Sequence, residues 1–169
     1  MATSQVVWVI DTSSIIEVRR ATQKRHREQI FRKMTELVTE GRLAYPPQVV
    51  AELERSAQPK SPDPQFVWAK QNASTAHRTG GCSLDDVREV LAEVPEVLDP
   101  NKDTGPDEAD PYVLAIARKL RGDGTDARVV TEERRDTESK MSMNTAAGIL
   151  GIPSVPLAAF LKVEKIVPV

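Results

Sequence analysis

Acidic residues that directly follow apolar strands are the residues of this chain best placed to do chemistry. An unbroken apolar run over residues 6–10 ends at Asp11, and aspartate is unfavourable inside a strand. A second apolar run, at residues 129–130, is followed within three positions by Glu132 and Glu133. If both runs are parallel strands of one sheet, their carboxyl ends lie at the same edge, where such sheets bind ligands.

Three further acids lie on predicted helices. Asp110 precedes Pro111 at the start of a predicted helix, and counting about 100° per residue places it toward the apolar side of that helix. Glu52 and Glu54 lie on a helix predicted over residues 48–55. Both are equally far from the apolar stripe of that helix, so periodicity does not choose between them.

Several carboxylates gathered at one edge of a sheet would repel one another, and a hard divalent cation would relieve that repulsion. Mg²⁺ binds a few carboxylates together with water, which leaves positions open for phosphate oxygens. The predicted chemistry is metal-assisted hydrolysis of a phosphodiester bond, in which the metal lowers the pKa of a bound water and neutralises charge that develops on the phosphate.

Each of these acids also has an interpretation without chemistry. Asp110 before Pro111 is a suitable helix cap in its own right. Glu52 fits a solvated helix face, and Glu132 and Glu133 fit an ordinary loop after a strand. Asp11 is the exception, because it directly follows five apolar residues at the end of a buried run.

Other kinds of site find little support. His26 and His77 lack the spacing of metal ligands, and the single cysteine, Cys82, excludes an internal disulfide and argues against a zinc site. The chain contains no glycine-rich phosphate loop. Ser13 and Ser14 lack the context of a nucleophile elbow.

The pattern of elements and the composition together predict one α/β domain over residues 1–169, with a parallel sheet between helices. Short strands are predicted at residues 6–10, 43–45, 97–98, 128–131 and 152–155, with helices between them. The single cysteine and the absence of a signal-like or membrane-spanning run predict a cytoplasmic protein.

One segment of this acidic protein is strongly basic. Seven cations lie between residues 19 and 33, against only Glu17 and Glu28 nearby: Arg19, Arg20, Lys24, Arg25, Arg27, Arg32 and Lys33. The segment is either a solvated helix face or a surface that binds RNA through phosphate contacts. Arg19, Arg20, Lys24 and Arg25 are the residues that we predict to contact RNA.

Four short motifs in order resemble the PIN-domain family, and their resemblance is greatest to its bacterial toxin-like branch of VapC type. They are VIDTSSII (9–16), PPQVVAEL (46–53), DEADPYVLAIA (107–117) and VVTEE (129–133), so the resemblance spans nearly the whole chain. Each motif is weak alone, but all four fall on the expected elements.

The resemblance implies a three-layer α/β/α fold and an endoribonuclease that depends on Mg²⁺ or Mn²⁺. It implies metal binding by Asp11, Glu52, Asp110 and Glu133. Ser13 would hold a metal-bound water or the first carboxylate. It further implies a homodimer and a protein antitoxin that blocks the site.

The fourth position departs from the family, which usually has aspartate where this chain has Glu133. Glutamate is a longer ligand, so Glu132 or Asp136 could serve instead, and Asp107 could be an accessory ligand. This departure favours the alternative function, a non-catalytic PIN module that binds RNA or a protein partner.

Overall fold

The computed structural model describes residues 5–21, 23–57, 63–102 and 108–166. The elements in chain order are β1 (Val7–Ile10), α1 (Thr12–Ala21), α2 (Lys24–Thr39), β2 (Leu43–Ala44), α3 (Pro47–Ser56), α4 (Pro64–Thr79), α5 (Leu84–Glu93), a 3₁₀ turn (Pro95–Val97), α6 (Ala109–Gly122), β3 (Ala127–Val130), α7 (Met143–Ile149), β4 (Ser154–Val155) and α8 (Leu157–Val163). The fold is α/β, a parallel sheet flanked by helices in a three-layer α/β/α arrangement, as predicted.

The sheet has four strands in the order β2-β1-β3-β4, and every neighbouring pair is parallel. Trp8, Val9 and Ile10 of β1 are fully buried, which explains why this strand is an unbroken apolar run. Ile10 pairs with Val130 of β3. The residues that follow these two strands therefore begin side by side at one edge of the sheet.

Helix α6 is built for burial. Seven of its residues are buried, from Ala109 to Ala117, and alanine and leucine combine high helix propensity with apolar surface. Close packing extends to the end of α4, where a Cβ on Gly80 would lie 2.9 Å from the Cβ of Ala44 and 3.1 Å from Cγ2 of Ile116. This contact brings α4, β2 and α6 together.

Local stop and start signals mark several of the helices. Gly41 has a φ of +74° directly after α2, and Gly151 has a φ of +72° after α7, a conformation that glycine adopts without a steric penalty. Ser83 begins α5 with a reciprocal capping box to Asp86. These residues mark boundaries of α2, α7 and α5.

One predicted strand is wrong. Residues 97–98 do not pair with the sheet, because Pro95–Val97 forms a 3₁₀ turn directly after α5. Helix α1 begins at Thr12, so the chain enters a helix immediately after Asp11. None of the helices in the described ranges combines the length and apolar character that crossing a membrane requires.

Candidate metal centre

Three of the four predicted acids converge. Asp11, Asp110 and Glu133 each offer a carboxylate oxygen, and these oxygens lie within 4.8 Å of one another. Asp11 follows β1, Asp110 lies in the first turn of α6, and Glu133 lies on the loop that follows β3. The pairing of β1 with β3 therefore provides one side of the group, and the amino end of α6 provides the other.

Asp11 is the most rigidly placed of the three. It is 1% exposed, and one carboxylate oxygen accepts hydrogen bonds from Ser13 Oγ at 2.7 Å and Ser14 N at 3.1 Å. The other oxygen accepts a hydrogen bond from Thr131 Oγ1 at 2.5 Å. The first turn of α1 supplies the first two donors, and the residue directly after β3 supplies the third.

The surroundings of these acids disfavour negative charge. Burial, followed by repulsion from Asp110, raises the pKa of Asp11 to about 7, against the opposing hydrogen bonds from Thr131, Ser13 and Ser14. Burial, followed by repulsion from Glu133, raises the pKa of Asp110 to about 6, although Lys140 opposes this. A cation at this position would stabilise the ionised forms of both carboxyl groups.

A lysine that the sequence analysis missed completes the group. Lys140 Nζ donates to Asp110 Oδ2 at 2.8 Å and to Glu133 Oε1 at 2.6 Å. Burial lowers the pKa of Lys140, but the two carboxylates outweigh this and raise it above its ordinary value. The sequence did not indicate this residue, because the polar stretch 132–140 has neither the helical nor the strand periodicity of apolar residues that would show which way its side chains point.

Glu52 lies beside the group but is not brought into it. Its Oε2 accepts a hydrogen bond from Thr12 Oγ1 at 2.5 Å, and its Oε1 accepts one from the backbone N–H of Ala109 at 2.8 Å. Glu52 thus connects α3 to the residue that precedes Asp110. In this geometry the side chain positions the start of α6.

The structure also distinguishes the alternatives for the fourth acid. Glu133 belongs to the group, whereas Glu132 Oε1 accepts a hydrogen bond from Leu157 N at 2.6 Å, at the start of α8. Asp136 is exposed and accepts a hydrogen bond from Ser142 N at 2.9 Å. Asp107 lies outside the described residues.

Two hydroxyl groups connect the strand ends to the acids. Ser13 Oγ, besides donating to Asp11, accepts a hydrogen bond from Glu132 N at 3.1 Å. Thr131 Oγ1, besides donating to Asp11, accepts one from Glu133 N at 3.1 Å. Ser13 therefore contacts the first carboxylate, one of its two predicted roles, while Thr131 was not predicted although it lies in the VVTEE motif.

The donor set fits a hard divalent cation. Carboxylate oxygens are the ligands that Mg²⁺ and Mn²⁺ prefer. Asp11, Asp110 and Glu133 are the described residues that could hold a metal ion.

The predicted RNA-contacting residues lie where α1 ends and α2 begins. Arg19, Arg20, Lys24 and Arg25 are all exposed, and Arg19 Nη1 also forms an ion pair with Asp63 Oδ1 at 2.9 Å. At about 1.5 Å per residue, Arg19 lies roughly 12 Å along α1 from Asp11. The basic surface and the acidic group are therefore at opposite ends of one helix.

Comparison with known proteins identifies one family. The chain has no significant match to a curated protein, and none to a solved structure. A family model, described as a domain of unknown function (DUF4411), matches residues 8–167. That range includes all the residues of the candidate centre. It also includes every element of the fold in full, except that Val7 at the start of β1 lies outside it. The chain therefore belongs to the DUF4411 family.

Proposed function

We propose that this chain is a metal-dependent endoribonuclease with a PIN-like domain. The observation that carries the proposal is the convergence of Asp11, Asp110 and Glu133 at the carboxyl edge of a parallel sheet. Ligands bind at this edge in sheets of this class, and groups with strongly shifted pKa values concentrate at functional sites.

Asp11, Asp110 and Glu133 would hold Mg²⁺ or Mn²⁺ as ligands. Glu52 would position Asp110 by accepting the hydrogen bond from the backbone N–H of Ala109. A bound divalent cation supplies Lewis acidity and a water of lowered pKa for attack on a phosphodiester bond. The protein's own contribution is placement. Ser13 and Thr131 fix both oxygens of Asp11, so that its carboxylate does not need to reorient when the substrate arrives.

RNA is the proposed substrate, and the basic surface supports this part of the proposal. Arg20, Lys24 and Arg25 extend into solvent at the far end of α1, where they could contact phosphates several nucleotides away from the bond that is cleaved. In a protein of net charge −2, such a local basic surface is needed to attract a polyanion. Arg19 would contribute less, because Asp63 already neutralises it.

The resemblance to VapC-type toxins extends the proposal to a toxin that acts in the cytoplasm, forms a homodimer and has a cognate antitoxin. An antitoxin that covered the acidic edge would exclude RNA from it. Expression of the chain alone and together with its genomic neighbour tests this part. We expect growth arrest that the neighbour relieves and that Asp11→Asn abolishes.

The direct test of the proposed activity is cleavage of a labelled RNA. The purified protein is incubated with RNA or with single-stranded DNA of the same sequence, in Mn²⁺, in Mg²⁺ or in chelator. We expect metal-dependent cleavage of RNA within the strand. Metal-dependent cleavage of DNA alone would change the substrate class, and no cleavage of either would contradict the proposal.

The basic surface is tested by neutralising Arg19, Arg20, Lys24 and Arg25 together to glutamine. RNA affinity should fall, and the dependence of log affinity on log salt should flatten by up to about 3, because up to four fewer counterions are released. The control replaces Arg55, Lys70, Arg88 and Lys162, which are also exposed, so that the net charge changes equally. Equal effects of the two quadruple variants would show that net charge, and not this surface, attracts RNA.

One observation favours the alternative, a non-catalytic PIN module that binds RNA or a protein. Lys140 already supplies a positive charge to Asp110 and Glu133, as would suit a site that has no metal. The alternative predicts RNA binding with equal affinity in Mn²⁺ and in chelator, and no cleavage in either.

A further inference from the structure

Lys140 is the lysine that the structure places in contact with the acidic group. Its side chain is 13% exposed, and its ammonium forms ion pairs with both Asp110 and Glu133. It lies between β3 and α7, on a connection that contains neither helix nor strand. Hydrogen bonds from Thr137 N to Lys140 O at 2.9 Å and from Met141 N to Glu96 O at 2.8 Å hold the backbone on either side.

The ammonium and a divalent cation would require the same carboxylates. Two cations in contact with the same oxygens repel each other, and this repulsion is large where burial reduces the effective dielectric constant. A flexible four-carbon stem allows the ammonium to leave while the backbone of the connection stays in place.

We propose that Lys140 is a built-in counter-ion of this centre, which occupies the position of the cation in the metal-free protein and is displaced when a divalent cation binds. This inference rests on the proposed metal centre but not on the nuclease activity. It has two consequences: the metal-free protein is spared the full repulsion of three acids, and the affinity for metal is lower than the same three carboxylates alone would give.

The first test measures the affinity for Mg²⁺ and Mn²⁺ by calorimetry in the full-length protein. Lys140→Gln removes the competing charge, so we expect metal to bind at least about tenfold more tightly. Lys140→Arg keeps the charge and should show no such gain. The control is Lys33→Gln, which removes a lysine from an exposed ion pair with Glu36 at 3.2 Å and should leave the affinity unchanged.

Thermal melting of the same variants gives a second measurement. In chelator, Lys140→Gln should melt below the wild type, because three acids then repel one another without a counter-ion. With saturating Mn²⁺, the rise in melting temperature should be larger for Lys140→Gln than for the wild type. Lys33→Gln should match the wild type in both conditions.

A further test uses the wild-type protein, so it does not depend on a variant that folds. Lysines are acetylated briefly with acetic anhydride in chelator and in Mn²⁺, and the modification at each lysine is quantified by mass spectrometry. The ion pairs protect Lys140 in chelator, so its acetylation should rise several-fold in Mn²⁺. Acetylation of Lys33 should not change.

The outcomes separate this inference from the nuclease proposal. Tighter metal binding by Lys140→Gln together with no cleavage of RNA would support the counter-ion and contradict the nuclease. Metal-dependent cleavage by the wild type, with unchanged metal affinity in Lys140→Gln and unchanged acetylation of Lys140, would support the nuclease and contradict the counter-ion. If neither the wild type nor Lys140→Gln binds metal at millimolar concentration, the counter-ion inference is wrong.

Discussion

The two sides of the acidic group are built differently. On the Asp11 side, Ser13, Ser14 and Thr131 donate three hydrogen bonds to a carboxylate that is almost fully buried. On the Glu133 side, the described polar partner of the carboxylate is Lys140, and the glutamate side chain is 32% exposed. Secondary structure fixes the Asp11 carboxylate, whereas an ion pair to a lysine on an irregular connection holds the Glu133 carboxylate.

This difference indicates which carboxylate keeps its orientation and which can exchange its partner when a cation binds. The backbone N–H of Ser14 cannot move away without local unfolding, and the short side chains of Ser13 and Thr131 are held between the strand ends. We therefore expect Asp11 to keep its orientation whether or not a cation is bound. An ion pair between two flexible side chains can be exchanged for another cation at little structural cost. The Asp11 side would therefore set the geometry of the centre, while the Glu133 carboxylate would exchange the Lys140 ammonium for a bound cation.

The largest expected effect comes from removing a carboxylate of the rigid side or of α6. Asp11→Asn and Asp110→Asn should each reduce RNA cleavage by roughly a hundredfold or more, the equivalent of losing a metal interaction worth a few kcal/mol. Initial rates in Mn²⁺ and far-UV circular dichroism check activity and fold. Wild-type rates in a folded Asp11→Asn protein would contradict the assignment of the site.

The next effect is a dependence of stability on pH in chelator. Burial, followed by repulsion from Asp110, raises the pKa of Asp11 from its ordinary value of 3.8 to about 7 in the folded protein, so between these values the folded state binds the proton more tightly than the unfolded state does. The free energy of unfolding should therefore fall as the pH rises from about 4 to 7, by a few kcal/mol. Asp110, whose pKa is raised to about 6, contributes a further decrease in the free energy of unfolding as the pH rises.

Urea denaturation of the wild type and of Asp11→Asn across this pH range isolates the contribution of Asp11. The decline should be clearly shallower in Asp11→Asn. Burial lowers the pKa of His77, which contributes with the opposite sign but equally in both proteins. Parallel curves for the two proteins would show that Asp11 is not the residue responsible.

Removing a hydroxyl from the rigid side should have a smaller effect on stability. Thr131→Val keeps the shape of a fully buried side chain but deletes the donor to Asp11 and the acceptor for Glu133 N. We expect a loss of about 1–3 kcal/mol in the free energy of unfolding. The control, Thr39→Val, removes an exposed hydroxyl that donates within its own helix and should cost much less.

The smallest effect distinguishes the two adjacent glutamates through metal-dependent melting. At a hundredfold excess over its dissociation constant, a cation should stabilise the wild type by about 2.7 kcal/mol, a rise on the order of 5–10 °C. Glu133→Gln should reduce this rise, and Glu132→Gln should leave it unchanged because Glu132 bonds Leu157. The opposite result would move the fourth acid to Glu132.

Much of the fold and most of the site could be predicted from local patterns. The buried run that ends at Asp11, the second run that ends before Glu133 and the helix that begins near Asp110 each have a signature within about ten residues. Parallel pairing of β1 with β3 then places the strand ends together. The strand predicted at residues 97–98 was wrong because a short apolar pair is equally compatible with a turn that buries Val97.

The sequence by itself determined that acids follow β1 and β3 at one edge of the sheet, because that position follows from strand periodicity and from the parallel arrangement of alternating strands and helices. It left Glu132, Glu133 and Asp136 open as the fourth acid. Only the tertiary structure decided how those acids are paired. Glu52 reaches the amino end of α6 and Lys140 reaches Asp110 across 57 and 30 positions of the chain. Such contacts depend on how loops and helix ends pack in space, and neither helical nor strand periodicity carries that information.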